Sequence, residues 1–188
     1  MPMPISVRET ELPGVLELEV AIAHDDRGYF TELYSEIEFA KAGLKLEFRQ
    51  DNVSMSARGT LRGMHYQIEP HGMGKLVRAL RGAIFDVAVD LRRGSPTFGK
   101  WVSRELSATN GRALWVPVGF AHGFLALEEE TLVLYKCTNV HTPEAERSLS
   151  YRDPSIAIQW PLEPTRISPK DLEAPLLAQA EHNFVHGG

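Results

Sequence analysis

Short apolar runs recur along this chain with the two-residue alternation of a β-strand, and only rarely with the spacing of a helix. In G82-A-I-F-D-V-A-V-D-L-R92, Phe85, Val87, Val89 and Leu91 fall on one face and Asp86, Ala88, Asp90 and Arg92 on the other. Similar runs lie at 15–22, 76–80, 101–106, 113–118, 123–127 and 131–137, each bounded by Gly, Pro, Asn or an acidic cluster. T60-L-R-G-M-H-Y-Q67 also reads as a strand, broken by Gly63 and carrying three strong hydrogen-bonding groups, Arg62, His65 and Gln67. About eight or more strands at such short spacing predict a sandwich, a jelly roll or a barrel. Helical signal is confined to two places. Ser35 can cap a short segment that Gly43 ends, and S168-P-K-D-L-E-A-P-L-L-A-Q-A begins with an N-cap, Pro at the first helical position and Asp at the third. Pro175 should shorten or kink that second helix.

Composition narrows the picture. The 188 residues, 43% of them hydrophobic, suffice for one sizeable core, and no repeat or Pro/Gly/Ser-rich linker divides the chain, so one domain over 1–188 is expected. With 20 Lys and Arg against 25 Asp and Glu, the net charge of −5 argues against the concentrated positive surface of a nucleic-acid protein. No apolar stretch approaches the roughly 20 residues that span a bilayer. M1-P-M-P-I-S-V-R lacks the charged start and apolar run of a signal peptide, and the single Cys137 can form no intrachain disulfide. A cytoplasmic protein that binds neither nucleic acid nor membrane is the expectation.

The polar residues inside the strands raise the question of function. In a dry sandwich one face of each strand is apolar and the other wet, whereas a ligand-holding jelly roll turns polar groups inward. Asp86 and Asp90 read first as the solvent face of their strand, with the inward reading left open. Arg62 and His65, three apart, would point to opposite faces of a regular strand, but a bulge at Gly63 would let both converge. In W115-V-P-V-G-F-A-H122-G-F, the spacing P-x-G-x-x-H resembles the second motif of the cupins, whose histidine often ligates a metal. The segment matching the first cupin motif, H65-Y-Q67, lacks the second histidine, and His71 reads as a loop residue, so no metal is expected.

The motifs L61-R-G-M-H-Y-Q67, G74-K-L-V-R78, F85-D-V-A-V-D-L-R92, S95-P-T-F-G-K-W101, L114-W-V-P-V-G-F-A-H-G-F124, L134-Y-K136 and S168-P-K-D171 stand in order and at compatible spacings. Together the chain resembles a dTDP-4-dehydrorhamnose 3,5-epimerase, from D25-D-R-G-Y-F-T-E32 to A174-P-L-L177. The resemblance implies an all-β, cupin-type jelly roll with short peripheral helices, free of metal and of redox cofactor. It further implies a homodimer, with the segment around Arg27 to Glu32 reaching into the partner's site. The implied substrate is a nucleotide 4-keto-6-deoxysugar, inverted at C3 and C5. By position, His65 resembles the family's base, Asp171 its orienting partner, Lys75 the enolate stabiliser and Tyr135 the acid that returns the proton. Arg62 and His122 fall on pocket positions, and Arg27, Glu32, Gln50 and Asn52 resemble nucleotide and sugar contacts.

Each of these residues also has a plainer reading. Lys75 could be a strand-edge charge and Tyr135 a half-buried core aromatic. Asp171 could serve the helix that Ser168 caps, a role in competition with a pairing to His65. After L134-Y-K136 the family often has two aromatic residues following an asparagine, whereas this chain reads N139-V-H141. Epimerisation at a single centre, ketoisomerisation of a related nucleotide sugar, or sugar-nucleotide binding without catalysis are therefore the alternatives.

Overall fold

Every alternating run becomes a strand in the computed structural model, which describes residues 3–187. In chain order the strands are β1 (Ile5–Glu9), β2 (Leu16–Val20), β3 (Ala23–Asp25), β4 (Gly28–Phe30), β5 (Gln50–Ser56), β6 (Thr60–Gln67) and β7 (Lys75–Arg81). There follow β8 (Ala83–Asp90), β9 (Trp101–Ser107), β10 (Arg112–Val116), β11 (Phe120–Ala126), β12 (Thr131–Cys137), β13 (Glu146–Ser148) and β14 (Arg166–Ile167). The helices are α1 (Glu36–Lys41) and α2 (Pro169–Leu172).

One sheet has the order β1-β2-β10-β7-β12-β5, and a second the order β13-β6-β11-β8-β9 with β14 parallel beside β6. This is the all-β, cupin-type jelly roll with peripheral helices that the sequence led us to expect. Apart from the adjacent pairs β1–β2 and β8–β9, neighbouring strands in both sheets are far apart in sequence, so the sheets are built mainly by crossing over. Between the sheets, Val77, Leu114, Val116 and Val133 of the first meet Ile84, Ala88, Val102, Leu106, Phe120 and Phe124 of the second. The outer face of the first sheet is covered by the N-terminal segment, where Tyr34, Phe39, Leu46 and Phe48 lie against Leu76 and Trp115. The outer face of the second is covered by the C-terminal segment, with Ile156, Trp160 and Phe184 against Val87, Val89 and Leu91.

This double covering corrects the first reading of β8. Asp86 and Asp90 are fully buried and face no solvent, because both faces of the strand are occupied. Asp90 is satisfied locally by the Arg92 guanidinium and the hydroxyls of Ser95 and Thr97. Asp86 points between the sheets and belongs to the site described below. The helices keep to the edges. Ser35 caps α1 by accepting the N–H of Glu38, and Gly43, at φ +85°, lies just past its end. The second helix is shorter than its pattern suggested, ending four residues in at Leu172, before Pro175 is reached.

Candidate active site

The site begins at the glycine that interrupts β6. Gly63 has φ +138°, and a Cβ there would meet the Cα of Gly123 at 2.5 Å; one on Gly123 would in turn meet Met64 Sδ at 2.6 Å. Two glycines let β6 and β11 approach where side chains would hold them apart. The register between the strands shifts at this point, His122 lying opposite His65 but Phe124 opposite Arg62. The extra residue is the bulge that Gly63 allowed, and Arg62 and His65 line one cavity. The two histidines become direct cross-strand neighbours.

That cavity has a volume of about 670 Å³ and opens at one end of the sandwich interior. His65, Lys75, His122, Tyr135, Asp171, Arg62, Gln50 and Asn52 all line it. His65 Nε2 lies 2.6 Å from Asp171 Oδ1, whose second oxygen accepts the N–H of Gly63 at 3.3 Å. His122 Nε2 lies 2.7 Å from Asp86 Oδ1. Lys75 Nζ is 3.5 Å from the carbonyl of His65 and forms no ion pair among the described residues. Its strand is interior to the first sheet, so the edge-charge reading fails. Tyr135 is half-buried at the boundary where the cavity meets the apolar packing of the interior. Arg62 is held toward β5 by Ser56 Oγ and the carbonyl of Met55, both at 3.1 Å.

The competition foreseen for Asp171 does not arise. Ser168 caps α2 with its own hydroxyl, which accepts the N–H of Asp171 at 3.2 Å, and this frees the carboxylate to turn to His65. A four-residue helix asks little more of its first turn.

Electrostatics divide the acidic groups by role. Burial raises the Asp171 carboxyl, but the hydrogen bond and charge of His65, together with the Gly63 N–H, outweigh it and hold the group below its ordinary value. Asp86 goes the other way. It is so enclosed that burial dominates the attraction of His122 and Lys75, and its pKa is raised, with Oδ2 unpartnered among the described residues. Burial also lowers the Lys75 ammonium and raises the Tyr135 phenol. A carboxylate that stays ionised behind His65 fixes the imidazole tautomer, leaving Nδ1 as the basic nitrogen. A phenol with a raised pKa stays protonated and can act as a donor.

Two of the expected site residues lie elsewhere. Arg27 pairs with Asp25 in the exposed β3–β4 hairpin, and neither it nor Glu32 lines the cavity of its own chain. Conversely, the cavity includes Glu146, Arg166 and Lys170, which sequence reasoning did not single out. Glu146 is bound by Lys170 at 2.6 Å and by His141 at 3.4 Å. Lys170 stood beside Asp171 and was open to notice. Glu146 was not, because P143-E-A-E-R-S148 reads as a loop and only its pairing with β6 brings it inward.

Comparison with known proteins places this geometry. Residues 9–179 match the family model described as dTDP-4-dehydrorhamnose 3,5-epimerase. A dTDP-4-dehydrorhamnose 3,5-epimerase of Shigella flexneri is 47% identical over 95% of this chain and 99% of its own. The dTDP-6-deoxy-D-glucose-3,5-epimerase of Legionella pneumophila, solved in complex with dTDP-4-keto-L-rhamnose, superposes with a TM-score of 0.89 at 45% identity, over 93% of this chain and 94% of that one. ChmJ, a 3'-monoepimerase from Streptomyces bikiniensis solved in complex with dTDP-quinovose, superposes with a TM-score of 0.85 at 36% identity, over 90% and 86% of the two chains.

Proposed function

Because the chain belongs to the dTDP-4-dehydrorhamnose 3,5-epimerase family, it is an isomerase, and we propose that it converts dTDP-4-dehydro-6-deoxy-D-glucose to dTDP-4-dehydro-L-rhamnose by inverting C3 and C5. The observation that carries the proposal is the His65–Asp171 pair, 2.6 Å apart, opening on a cavity that Lys75 and Tyr135 also line.

The ketone at C4 acidifies the C–H bonds at C3 and C5. His65 takes one proton through Nδ1, and the electron pair moves onto the C4 oxygen to give an enolate. Lys75 stabilises that oxygen by the charge of its ammonium, while His122, held in place by Asp86, lines the same cavity. Tyr135 then delivers its hydroxyl proton to the carbon from the opposite face, which inverts it. The imidazolium and the phenolate return to their starting states by exchange with solvent, and the cycle repeats at the second carbon. Arg62, Gln50 and Asn52 contact the substrate beyond the reacting ring. No redox step occurs, and the scheme uses neither metal nor cofactor.

The proposal extends to a cytoplasmic homodimer of single-domain subunits. The buried, unpaired thiol of Cys137 accords with a reducing compartment. The β3–β4 hairpin exposes Tyr29 and Phe30, and edge strand β5 exposes Val53 and Met55. Arg78 is buried nearby with Nη2 unpartnered among the described residues. A second subunit would cover these groups, and its N-terminal segment would bring Arg27 and Glu32 to the cavity. Sedimentation at twice the chain mass is the expected result.

A second reading rests on the 3'-monoepimerase of the same fold, together with His141, which lines the cavity, and its neighbour Val140. Turnover in heavy water with a reductase trap separates the two. The 3,5-epimerase puts deuterium at both C3 and C5 of the product; label at C3 alone, even at long times and high enzyme, would establish the single-centre enzyme instead.

A further inference from the structure

Gln67 is the third polar residue of the β6 stretch; it borders the cavity, but the roles given above to the base and the pocket contacts do not account for it. It lies two residues beyond His65 and is 4% exposed. Its side-chain NH₂ donates to the carbonyls of His71 at 2.8 Å and Val140 at 3.2 Å, and its carbonyl oxygen accepts the N–H of Thr142 at 2.8 Å. Only this orientation of the carboxamide matches two carbonyls with donors and one N–H with an acceptor. None of the three partners belongs to a strand, so these bonds fix loops at the cavity mouth rather than the sheets. Gln50 completes the hold by accepting the N–H of His141 at 2.8 Å. The peptide groups on both sides of His141 are thereby pinned. The imidazole between them lines the cavity, with Nε2 3.4 Å from Glu146.

We propose that Gln67 is a positioning residue for substrate binding that acts through His141. It clamps the 140–142 segment to the strand that carries the base, ties it through His71 to the neighbouring 68–74 loop, and so sets where the imidazole stands at the entrance. The inference rests on the reading of the cavity as a nucleotide-sugar site. It also explains why a buried carboxamide occupies a strand position where an apolar side chain would otherwise serve: a buried amide whose hydrogen bonds are all made is well tolerated, and removing it strands three backbone groups at once.

The test compares wild type with Gln67→Met, which keeps the bulk and removes all three bonds, with Gln67→Glu, which keeps only the acceptor, with His141→Ala, and with the Gln67→Met/His141→Ala double variant. Loss of the clamp should raise KM for dTDP-4-dehydro-6-deoxy-D-glucose about tenfold while kcat stays within about threefold, because the reacting groups are untouched. Gln67→Met should add little to the KM of His141→Ala, since both act through one side chain. In the free protein, amide exchange at 140–142 should quicken in both Gln67 variants while the strands keep their protection. An unchanged KM in both variants, or fully additive effects in the double variant, overturns the proposal; should Gln67→Met not fold, Gln67→Glu carries the same readouts. A wild-type protein that turns over no dTDP sugar would count against the reading of the site. The exchange measurement needs no substrate, and unaltered exchange at 140–142 would refute the clamp on its own.

Discussion

The space between the two sheets is apolar at one end and polar at the other, and the two ends are built from the same strands. On β12, Val133 packs in the core and Tyr135 borders the cavity; on β7, Val77 is core and Lys75 lines the cavity; on β8, Ala88 is core and Asp86 holds His122. Alternation decides only which residues face inward. Whether the inward residue is apolar or polar then decides whether that end closes by packing or stays open for a ligand. The two ends therefore answer to different measurements, one to stability and the other to turnover.

The largest effect is expected at the polar end. His65→Ala should lower kcat by about two to four powers of ten, the usual worth of general acid–base catalysis, with KM within about tenfold of wild type. Its melting temperature should also fall, because the buried Asp171 carboxylate loses its partner, so turnover is compared where both proteins are folded. Near-normal turnover would remove His65 from the mechanism.

At the apolar end the signs reverse. Leu114 is fully buried among Val77, Val116 and Val133, and Leu114→Ala should destabilise the protein by about 2 to 5 kcal/mol through lost burial and a residual cavity. Below its melting transition the variant should keep kcat and KM. A large change in kcat without loss of stability would show that the ends are not separable.

Asp171→Asn sharpens the comparison, since this residue is buried like a core group yet pairs with His65, the proposed base. Its pKa in the folded chain lies below the ordinary 3.8, so the carboxylate contributes stability above that value and loses it as the pH falls through the folded pKa. The melting-temperature gap between wild type and Asp171→Asn should be full at neutral pH and close in acid. A gap that persists unchanged into strong acid would mean that the asparagine disturbs packing rather than charge. Turnover should fall in the same direction as for His65→Ala, but by less.

The strands of this fold were legible because alternation survives even where both faces are buried, as along 82–92. What alternation could not convey was the covering of the outer faces by segments of irregular pattern, and this is why Asp86 and Asp90 read as solvent-facing. The β5 run Q50-D-N-V-S-M-S56 escaped notice because an edge strand of the sheet needs no apolar face of its own. Within the site, Gly63 announced the bulge, and His65, Lys75, His122, Tyr135 and Asp171 could be located by motif. Glu146 and the bonds of Gln67 depend on which loops meet at the cavity mouth, a matter of chain crossing that no local spacing records. Arg27 and Glu32 lie outside the cavity of their own chain, where a second subunit would have to make use of them.

The division of labour across the sugar ring is tested most directly by following exchange and inversion together. Wild type, His65→Ala and Tyr135→Phe are incubated with dTDP-4-dehydro-6-deoxy-D-glucose in heavy water, and deuterium content and configuration are read at C3 and C5 by mass and proton spectra. Wild type should incorporate deuterium with inversion at both carbons. Tyr135→Phe should still incorporate it, because His65 can remove a proton and return a deuteron to the same face, but the configuration should be retained. His65→Ala should show neither. Inversion by Tyr135→Phe at the wild-type rate, or exchange by His65→Ala at the wild-type rate, would contradict the assignment of base and acid to opposite faces.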